Sequence, residues 1–551
     1  MSAAYTVAGD ARAAASVLLL RDGEAGLEVL MMRRAERDGD QRSGAAVFPG
    51  GVLDPRDRDA HAFCLGGDDT AMSRRLGLAE GGLDYAVAAL RECFEEVGLL
   101  IADREVDAEA VFPWRDRLQT GEVSAADFCR ALGLRFDVRG LVYHSHWLTP
   151  PGTPKRFDTR FFITRAPAGQ QAVADYGEAV ELMWLTPQAA LDPARGLKLL
   201  PVTQRTLREL GRFGTADAAL DEARGRREIP RVMPRVARSA QGARQVVLPD
   251  ELPYAEVGKL DPEGRGDVCV QLVAGNAVRL SPRVVRVTAP NPGLMTGPGT
   301  NSYFVGSGAD GDGWTVIDPG PADEAHLQAL LALAPGRIDR ILVTHTHVDH
   351  SPGARALAAA TGAPVFGRVA AFAPGQDATF APTRELAHGE RLALGAGATL
   401  RAIHTPGHAS NHLCYLLEEE KLLFTGDHVM QGSTVVINPP DGDMGAYLAA
   451  LEALLAEDLD WLAPGHGFLV AEPHAVLRGL IQHRRKREAR VADALLRLAP
   501  ATLEQLLPDV YADVPSQLHP VARRSLLAHL LKLRADGRAA VEGEVWRYST
   551  T

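Results

Sequence analysis

Apolar and polar positions change period several times along the chain. Near the start, AAASVLLLRD (residues 13–22) and EVLMMRR (28–34) read as strands separated by DGEAG, a turn-forming stretch. VFPGGVLD (47–54) predicts a strand running into a glycine-rich loop. Over 84–97 the period becomes helical, with Val87, Leu90, Phe94 and Val97 at spacings of three, four and three on one face. RFFITRA (160–166) and ELMWLTP (181–187) predict further strands, and 201–214 a helix. Across 215–266 the periodicity fades into Arg, Pro, Gly and acidic residues, as in RREIPRVMPRVARSAQGARQ, which predicts an interdomain linker. Strands resume at 283–289, 301–307, 314–320 and 340–345, with a helix over 325–334. From 476 the pattern is helical and closes on the strand-like VEGEVWRYS.

Composition narrows this picture. A chain of 551 residues implies roughly three to five lobes at about 100–200 residues each. Hydrophobic residues at 46% and charged residues at 23% exclude wholesale disorder. A net charge of −11 excludes a generic nucleic-acid binder, yet residues 476–551 carry 13 basic and 8 acidic side chains. Only 6 of the 59 basic residues are Lys, a bias of high-GC genomes rather than chemistry. The five cysteines are scattered without a CxxC, which argues against disulfides and thiolate zinc fingers and sets a cytoplasmic expectation. No apolar run reaches membrane-spanning length, so no membrane partner is expected. Asp10 and Arg12 precede only a short apolar run, unlike a signal peptide, which argues against an exported protein. Of 17 histidines, 14 follow residue 300, so histidine chemistry belongs to the second half.

The first candidate chemistry lies on the 84–97 helix. Arg91, Glu92, Glu95 and Glu96 share a face at helical spacings, and three carboxylates so close call for a cation or Arg. Oxygen ligands suit Mg²⁺ or Mn²⁺, which also orient diphosphates. Arg91-Glu92-x-x-Glu95-Glu96-x-Gly98-Leu99 resembles the second half of the Nudix box, G-x5-E-x7-R-E-U-x-E-E-x-G-U, and Phe48-Pro49-Gly50-Gly51 resembles its start. The resemblance implies an α/β Nudix domain over 1–214 that cleaves a nucleoside-diphosphate or CoA derivative. Glu95 and Glu96 would be the main metal ligands, Glu92 a further ligand or the base, Arg91 their support, and Gly50 and Gly51 the points of backbone approach. About 26 extra residues separate Gly51 from Arg91, an insert at about 57–83, and the box's early Glu has no clear counterpart. This is similar to the branch containing peroxisomal acyl-CoA diphosphatases, and LMMRRA…G…FPGG partly resembles a CoA-recognition element with one Arg displaced. These departures motivate an alternative in which the Nudix half is a catalytically silent sensing or docking module.

The second candidate is denser. Thr344-His345-Thr346-His347-Val348-Asp349-His350 follows a predicted strand, and four ligand-type side chains in six residues are too many for satisfied core histidines. His404-Thr405-Pro406-Gly407-His408, Gly426-Asp427 and Pro464-Gly465-His466-Gly467 each follow an apolar stretch. The ordered set HxHxDH, PGH, GD and PGHG resembles the metallo-β-lactamase superfamily. That implies an αββα sandwich over 267–475. His345, His347 and His408 would bind one metal, Asp349, His350 and His466 the second, and Asp427 would bridge. Asp349 is also a candidate proton carrier. Two Zn²⁺ are expected, with Mn or Fe as substitutes, and the reaction would be hydrolysis of an ester, thioester, amide or phosphodiester. Asp318 in VIDPG is expected to support the metal loop, and His412 to contact ligand or substrate. His326, His388 and His474 read as surface residues.

Residues 476–551 give helix, helix and hairpin, which resembles the small winged helix of a superfamily branch that includes a mitochondrial endoribonuclease. The match rests on His483, Arg484, Arg487 and Glu488, then Leu526, Leu527, His529, Leu530, Lys532, Leu533 and Gly537. RNA is therefore a candidate substrate beside thioesters of the hydroxyacylglutathione type. Arg484, Arg485, Lys486 and Arg487 are the candidate phosphate contacts.

Overall fold

The computed structural model describes residues 10–36, 43–309 and 311–549. Residues 1–9 and, within the LMMRRA…FPGG block, residues 37–42 lie outside the described residues. The chain divides into two compact units, the first formed mainly by residues up to 236 and the second mainly by those from 267 on.

The first unit is built on a mixed sheet. Strands Arg12–Gly23 and Gly26–Arg34 form the expected hairpin. Arg12–Gly23 runs parallel to Phe157–Arg165, which pairs antiparallel with Val142–Leu148. The short strand Gly50–Val52 pairs with the start of the first strand, Ser16 opposite Gly50. Both faces of the sheet are covered, since Leu19, Leu30 and Phe162 belong to one apolar cluster and Leu18, Val29 and Ile163 to another. The period-two alternation of strand side chains produces this split. Helix α1 (Gly82–Val97) lies on the first face and is buried on almost every side, not only along its apolar stripe. Gly98 closes it in the left-handed region at φ +70, donating its N–H to the Phe94 carbonyl.

Residues 215–266 are not a linker. Ala216–Gly225 is a helix whose Ala216, Ala219, Leu220 and Ala223 are buried under the first unit's sheet. Helix α2 (Tyr254–Leu260) belongs to the second unit, where Glu256 receives both Arg286 guanidinium arms at 2.7 and 2.8 Å. The helix expected over 201–214 ends at Leu210.

The second unit is an αββα sandwich followed by a winged helix. One sheet has seven strands, from Ala277–Ser281 to Arg384–Glu385, and the other six, from Arg391–Gly395 to Val470–Ala471. Val284, Tyr303, Leu400 and Tyr415 fill the space between the sheets. Helices cover the outer faces, among them α3 (Met444–Leu454), packed through Tyr447 and Leu451. Helix α4 (Pro473–Leu498) begins in this core with Leu477 and Ile481 and ends in another with Val491 and Leu495. That last core also holds helices Leu503–Val510 and His519–Ala535 and the hairpin of Ala539–Glu542 with Val545–Tyr548.

Candidate metal centre and carboxylate cleft

The ligand-bearing loops leave the ends of strands at one edge of the sandwich. Strand Ile338–Leu342 runs into Thr344–His350, Ala398–His404 into His408, Leu422–Gly426 into Asp427, and Trp461–Pro464 into His466. Two groups result. His345, His347 and His408 form one, and Asp349, His350, Asp427 and His466 the other, the ligand atoms of each lying within 4.8 Å of one another. Asp427 touches both, with Oδ2 3.7 Å from His408 Nε2 and Oδ1 3.3 Å from His350 Nε2 and His466 Nε2.

Four of the five rings are held from behind. His350 Nδ1 donates to Asp318 Oδ2 at 2.9 Å, His408 Nδ1 to the Val436 carbonyl at 2.8 Å, and His466 Nδ1 to the Gly299 carbonyl at 3.2 Å. Thr344 Oγ1 donates to Asp318 Oδ2 at 2.8 Å and so accepts from His345 Nδ1 at 3.0 Å. With one nitrogen anchored, the other is aimed at the cluster. Asp318 also accepts the Thr344 N–H at 2.7 Å, and it sits at φ +50, a left-handed conformation that Asp tolerates better than most residues. These bonds tie Asp318 to the start of the 344–350 loop.

These residues fit a metal. His347 Nδ1 lies 3.0 Å from both His345 Nε2 and His408 Nε2, three nitrogens converging on one another. His350 Nε2, His466 Nε2 and Asp427 Oδ1 are buried without a hydrogen-bond partner among the described residues. Burial, then the neighbouring imidazoles, holds His345 well below the usual histidine range, and burial with His408 lowers His347 to about 3. In the second group burial opposes charge on the rings, but the carboxylates outweigh it. Asp349 and Asp427 hold His350 well above the histidine range, and Asp427 with Asp349 raises His466 to about 9. Imidazole with carboxylate is a donor set for zinc or iron.

His412 lies behind His345 with its rings stacked at 5.1 Å, and Thr405 Oγ1 meets its Nδ1 at 2.9 Å. Any side chain at Gly426 would sit 2.6 Å from Thr344 Oγ1 and 2.8 Å from His412 Nε2. His326 is buried rather than at the surface, because Asp323 caps its helix and Ser302 Oγ bonds its Nε2 at 2.8 Å. His388 is exposed, and His474 is half-buried and bonds the Glu457 carbonyl. Asn301, absent from the sequence reading, ties Nδ2 to the Pro464 and Gly467 carbonyls and so shapes the turn that presents His466.

The basic run on α4 is corrected. Arg484 and Arg487 are buried, Arg484 donating to the Val435 carbonyl and Arg487 to the Val510 carbonyl and Asp513. Only Arg485, which pairs with Glu452, and Lys486 face outward.

The carboxylates of α1 line a 490 Å³ cleft with Val52, Asp54, Arg56 and, unforeseen, Glu178. Arg91 Nη1 donates to Glu92 at 2.8 Å and to Glu95 at 3.3 Å, and Glu96 accepts the Gly50 N–H at 2.7 Å. A Cβ at Gly51 would run into the Glu92 carboxylate. The early acidic position of the box is filled after all. Asp57 stands after five residues from Gly51, is buried, and accepts Arg91 Nε at 2.9 Å and Nη2 at 3.2 Å. Burial pushes Glu95 up to about 7 and Glu96 well above its usual range. Buried carboxylates crowded this way favour a cation.

An αββα sandwich with such a cluster at one edge is the architecture of a metal-dependent hydrolase. The profile of the metallo-beta-lactamase superfamily matches residues 295–466, that of the NUDT19 Nudix domain residues 70–198, and that of the beta-lactamase associated winged helix domain residues 502–546. The chain is 32% identical over 276 residues to the Beta-lactamase-like protein 2 homolog of Drosophila melanogaster, covering 48% of this chain and 91% of that protein. It is 33% identical over 281 residues to an atrochrysone carboxyl ACP thioesterase of Aspergillus chevalieri, covering 48% and 85%. A NUDIX hydrolase structure from Alicyclobacillus acidocaldarius is 27% identical with a TM-score of 0.33, covering 39% of this chain and 97% of that one. The chain belongs to the metallo-β-lactamase superfamily, with a Nudix domain before the hydrolase domain and a winged helix after it. Among the described residues no helix is long and apolar enough to cross a membrane.

Proposed function

We propose that the second unit is a dinuclear hydrolase of thioesters and the first a Mg²⁺- or Mn²⁺-dependent diphosphatase for a CoA-type or nucleoside-diphosphate substrate. The observation that carries the first half is the convergence of two ligand groups on Asp427. His345, His347 and His408 would hold one ion and Asp349, His350 and His466 the other, with Asp427 shared between them and zinc the first choice. Two bound ions would supply Lewis acidity and a lowered pKa for the attacking water. Asp349 Oδ2 lies 3.3 Å from His466 Nε2 on a side chain partly open to solvent, and would take up the proton of the attacking water. A thiol of pKa about 8.5 leaves with little help from an acid, so that single proton transfer suffices.

Two observations bear on the substrate, the first favouring a thioester and the second an acyl compound over a phosphodiester. One relative is named an ACP thioesterase. Val348, within the metal loop, is 63% exposed, and exposed Val369 and Phe372 lie on a segment bonded to Thr346 and Asn411, an apolar setting for an acyl group. The RNA reading loses Arg484 and Arg487, which are buried.

The test is metal analysis of the full chain with acyl-CoA thioesters, simple esters and single-stranded RNA as substrates. The expected result is two zinc ions per chain, apart from any Mg²⁺ or Mn²⁺ of the first unit, and thioester hydrolysis, both impaired in His345→Ala and Asp427→Ala. Two ions undiminished in these variants would refute the ligand set, and RNA cleavage without thioester hydrolysis the substrate.

For the first unit, Glu95→Gln and Glu96→Gln are expected to abolish diphosphate cleavage. A second reading makes this half a silent sensing or docking module. The Arg91 contacts to Glu92 and Glu95 favour it, because they occupy carboxylates that a metal would need. Inactivity of the parent on nucleotide and CoA diphosphates would decide for that reading.

A further inference from the structure

Arg484 is 3% exposed and has no carboxylate within 4.0 Å among the described residues, so its hydrogen bonds alone offset the cost of burying its charge. It stands on α4 between Ile481, in the hydrolase core, and Val491, in the winged-helix core. Its Nη2 donates to the Val435 carbonyl. The next carbonyl, that of Val436, accepts Nδ1–H of His408 at 2.8 Å. Residues 431–437 form no helix or strand, so no ladder of their own fixes these two carbonyls. The same guanidinium lies 5.4 Å from the centroid of the Tyr447 ring. Tyr447 donates its hydroxyl to the carbonyl of His428, the residue after Asp427, at 3.1 Å. The Tyr447 backbone also abuts Gly407, the residue before His408, so closely that a Cβ there would overlap it. One buried guanidinium thus touches both walls from which His408 and Asp427 hang.

We propose that Arg484 is a positioning residue for the metal cluster. By fixing the backbone at Val435 it steadies the adjoining Val436 carbonyl, which keeps the His408 proton on Nδ1 and Nε2 toward the ligand group, joining the helix that carries the winged unit to one ion's site. The inference rests on the reading of His408 as a ligand. Which imidazole nitrogen is free to bind a metal is set by the hydrogen bond that the other makes, and removing such an outer partner lowers metal affinity about 10–100-fold.

The experiment uses the full chain loaded with zinc, and separately with cobalt(II) as a spectroscopic probe. Arg484→Met removes the donor at similar length, and Arg484→Lys keeps a charge and one donor. Arg487→Met is the control, because Arg487 is equally buried on α4 but bonds Val510 and Asp513 of the winged unit. In Arg484→Met one of the two ions is expected to bind about 10–100-fold more weakly in competition with a chromophoric chelator, with altered cobalt bands. Arg484→Lys should fall between it and the parent, and it carries the test alone should the Met variant not fold. Arg487→Met should hold both ions like the parent. Parent-like affinity and spectra in both Arg484 variants would overturn the inference, as would equal weakening in Arg487→Met or equal loss of both ions. A parent that takes up fewer than two ions would instead overturn the ligand assignment, and the inference with it.

Discussion

Asp318→Asn should weaken one bound ion and spare the other. In the parent the carboxylate accepts three hydrogen bonds, the Thr344 N–H on Oδ1 and Thr344 Oγ1 with His350 Nδ1 on Oδ2. An amide keeps one acceptor, which the Thr344 N–H retains, and turns an NH₂ toward the other two partners. The Thr344 hydroxyl can rotate to accept, but His350 Nδ1–H cannot. The ring then either loses its anchor or moves its proton to Nε2, the atom that faces Asp427 at 3.3 Å. Losing one hydrogen bond to a charged group costs about 1.5–3 kcal/mol. Losing an outer-shell partner costs about 10–100-fold in affinity, or about 1.4–2.8 kcal/mol, so the two routes agree. Asn tolerates φ +50 as well as Asp does, so the fold should persist. Competition with a chromophoric chelator on the full chain resolves the two binding steps. The expected result is one dissociation constant raised about 10–100-fold and the other nearly unchanged. Two unchanged constants, or two that rise together, would refute the reasoning.

Three further predictions follow from buried contacts. Glu256→Gln leaves the fully buried Arg286 without its counter-charge and should cost about 3–5 kcal/mol in urea unfolding of the second unit, a loss near zero counting against the pair. Gly51→Ala pushes a Cβ into the Glu92 carboxylate and should weaken Mn²⁺ binding to the first unit at least about tenfold by electron paramagnetic resonance, so parent-like binding would contradict the proposed cleft. His529 is buried with neither ring nitrogen bonded among the described residues, and burial, then Arg484 and Arg487, lowers it to about 3. Its folded pKa lies below the unfolded value of 6.5, so the unfolded chain takes the proton first and stability falls from about pH 6.5 downward, by about 1.4 kcal/mol per unit. His529→Met should flatten that acid limb in melts of the winged unit, and an unchanged slope would show that His529 is not its source.

The His/Asp cluster was legible because its candidate ligands are local, four side chains within residues 345–350 and short Gly-flanked motifs after apolar runs. What was misread had periodic signals hidden by residue type. Ala216, Ala219, Leu220 and Ala223 keep helical spacing, but small alanines in an Arg-rich stretch do not stand out as an apolar stripe. Leu477, Ile481, Arg484, Glu488, Val491 and Leu495 run at alternating spacings of four and three, one continuous buried stripe. Two charged residues complete it, so the HRRKRE run looked like a solvated face. Asp57 could have been found by counting six residues on from Gly51, past five intervening ones, since a shorter acid serves where the box has Glu. Glu178 and Asn301 carry no local signal, because only the packing of distant strands brings them to their sites.

The bond between Glu256 and Arg286 also decides where the molecule can be cut. Glu256 lies ahead of any boundary drawn at residue 267, yet it neutralises a guanidinium on strand Val284–Thr288 and accepts the N–H of Leu469, three residues past His466. A fragment starting at 267 would carry an unmatched charge in its interior and a loosened support behind its last histidine. Its failure to fold or to retain zinc would then be an artefact of trimming. A fragment that begins near residue 237 keeps the pair, and is the shorter piece in which the hydrolase can be judged apart from its Nudix half.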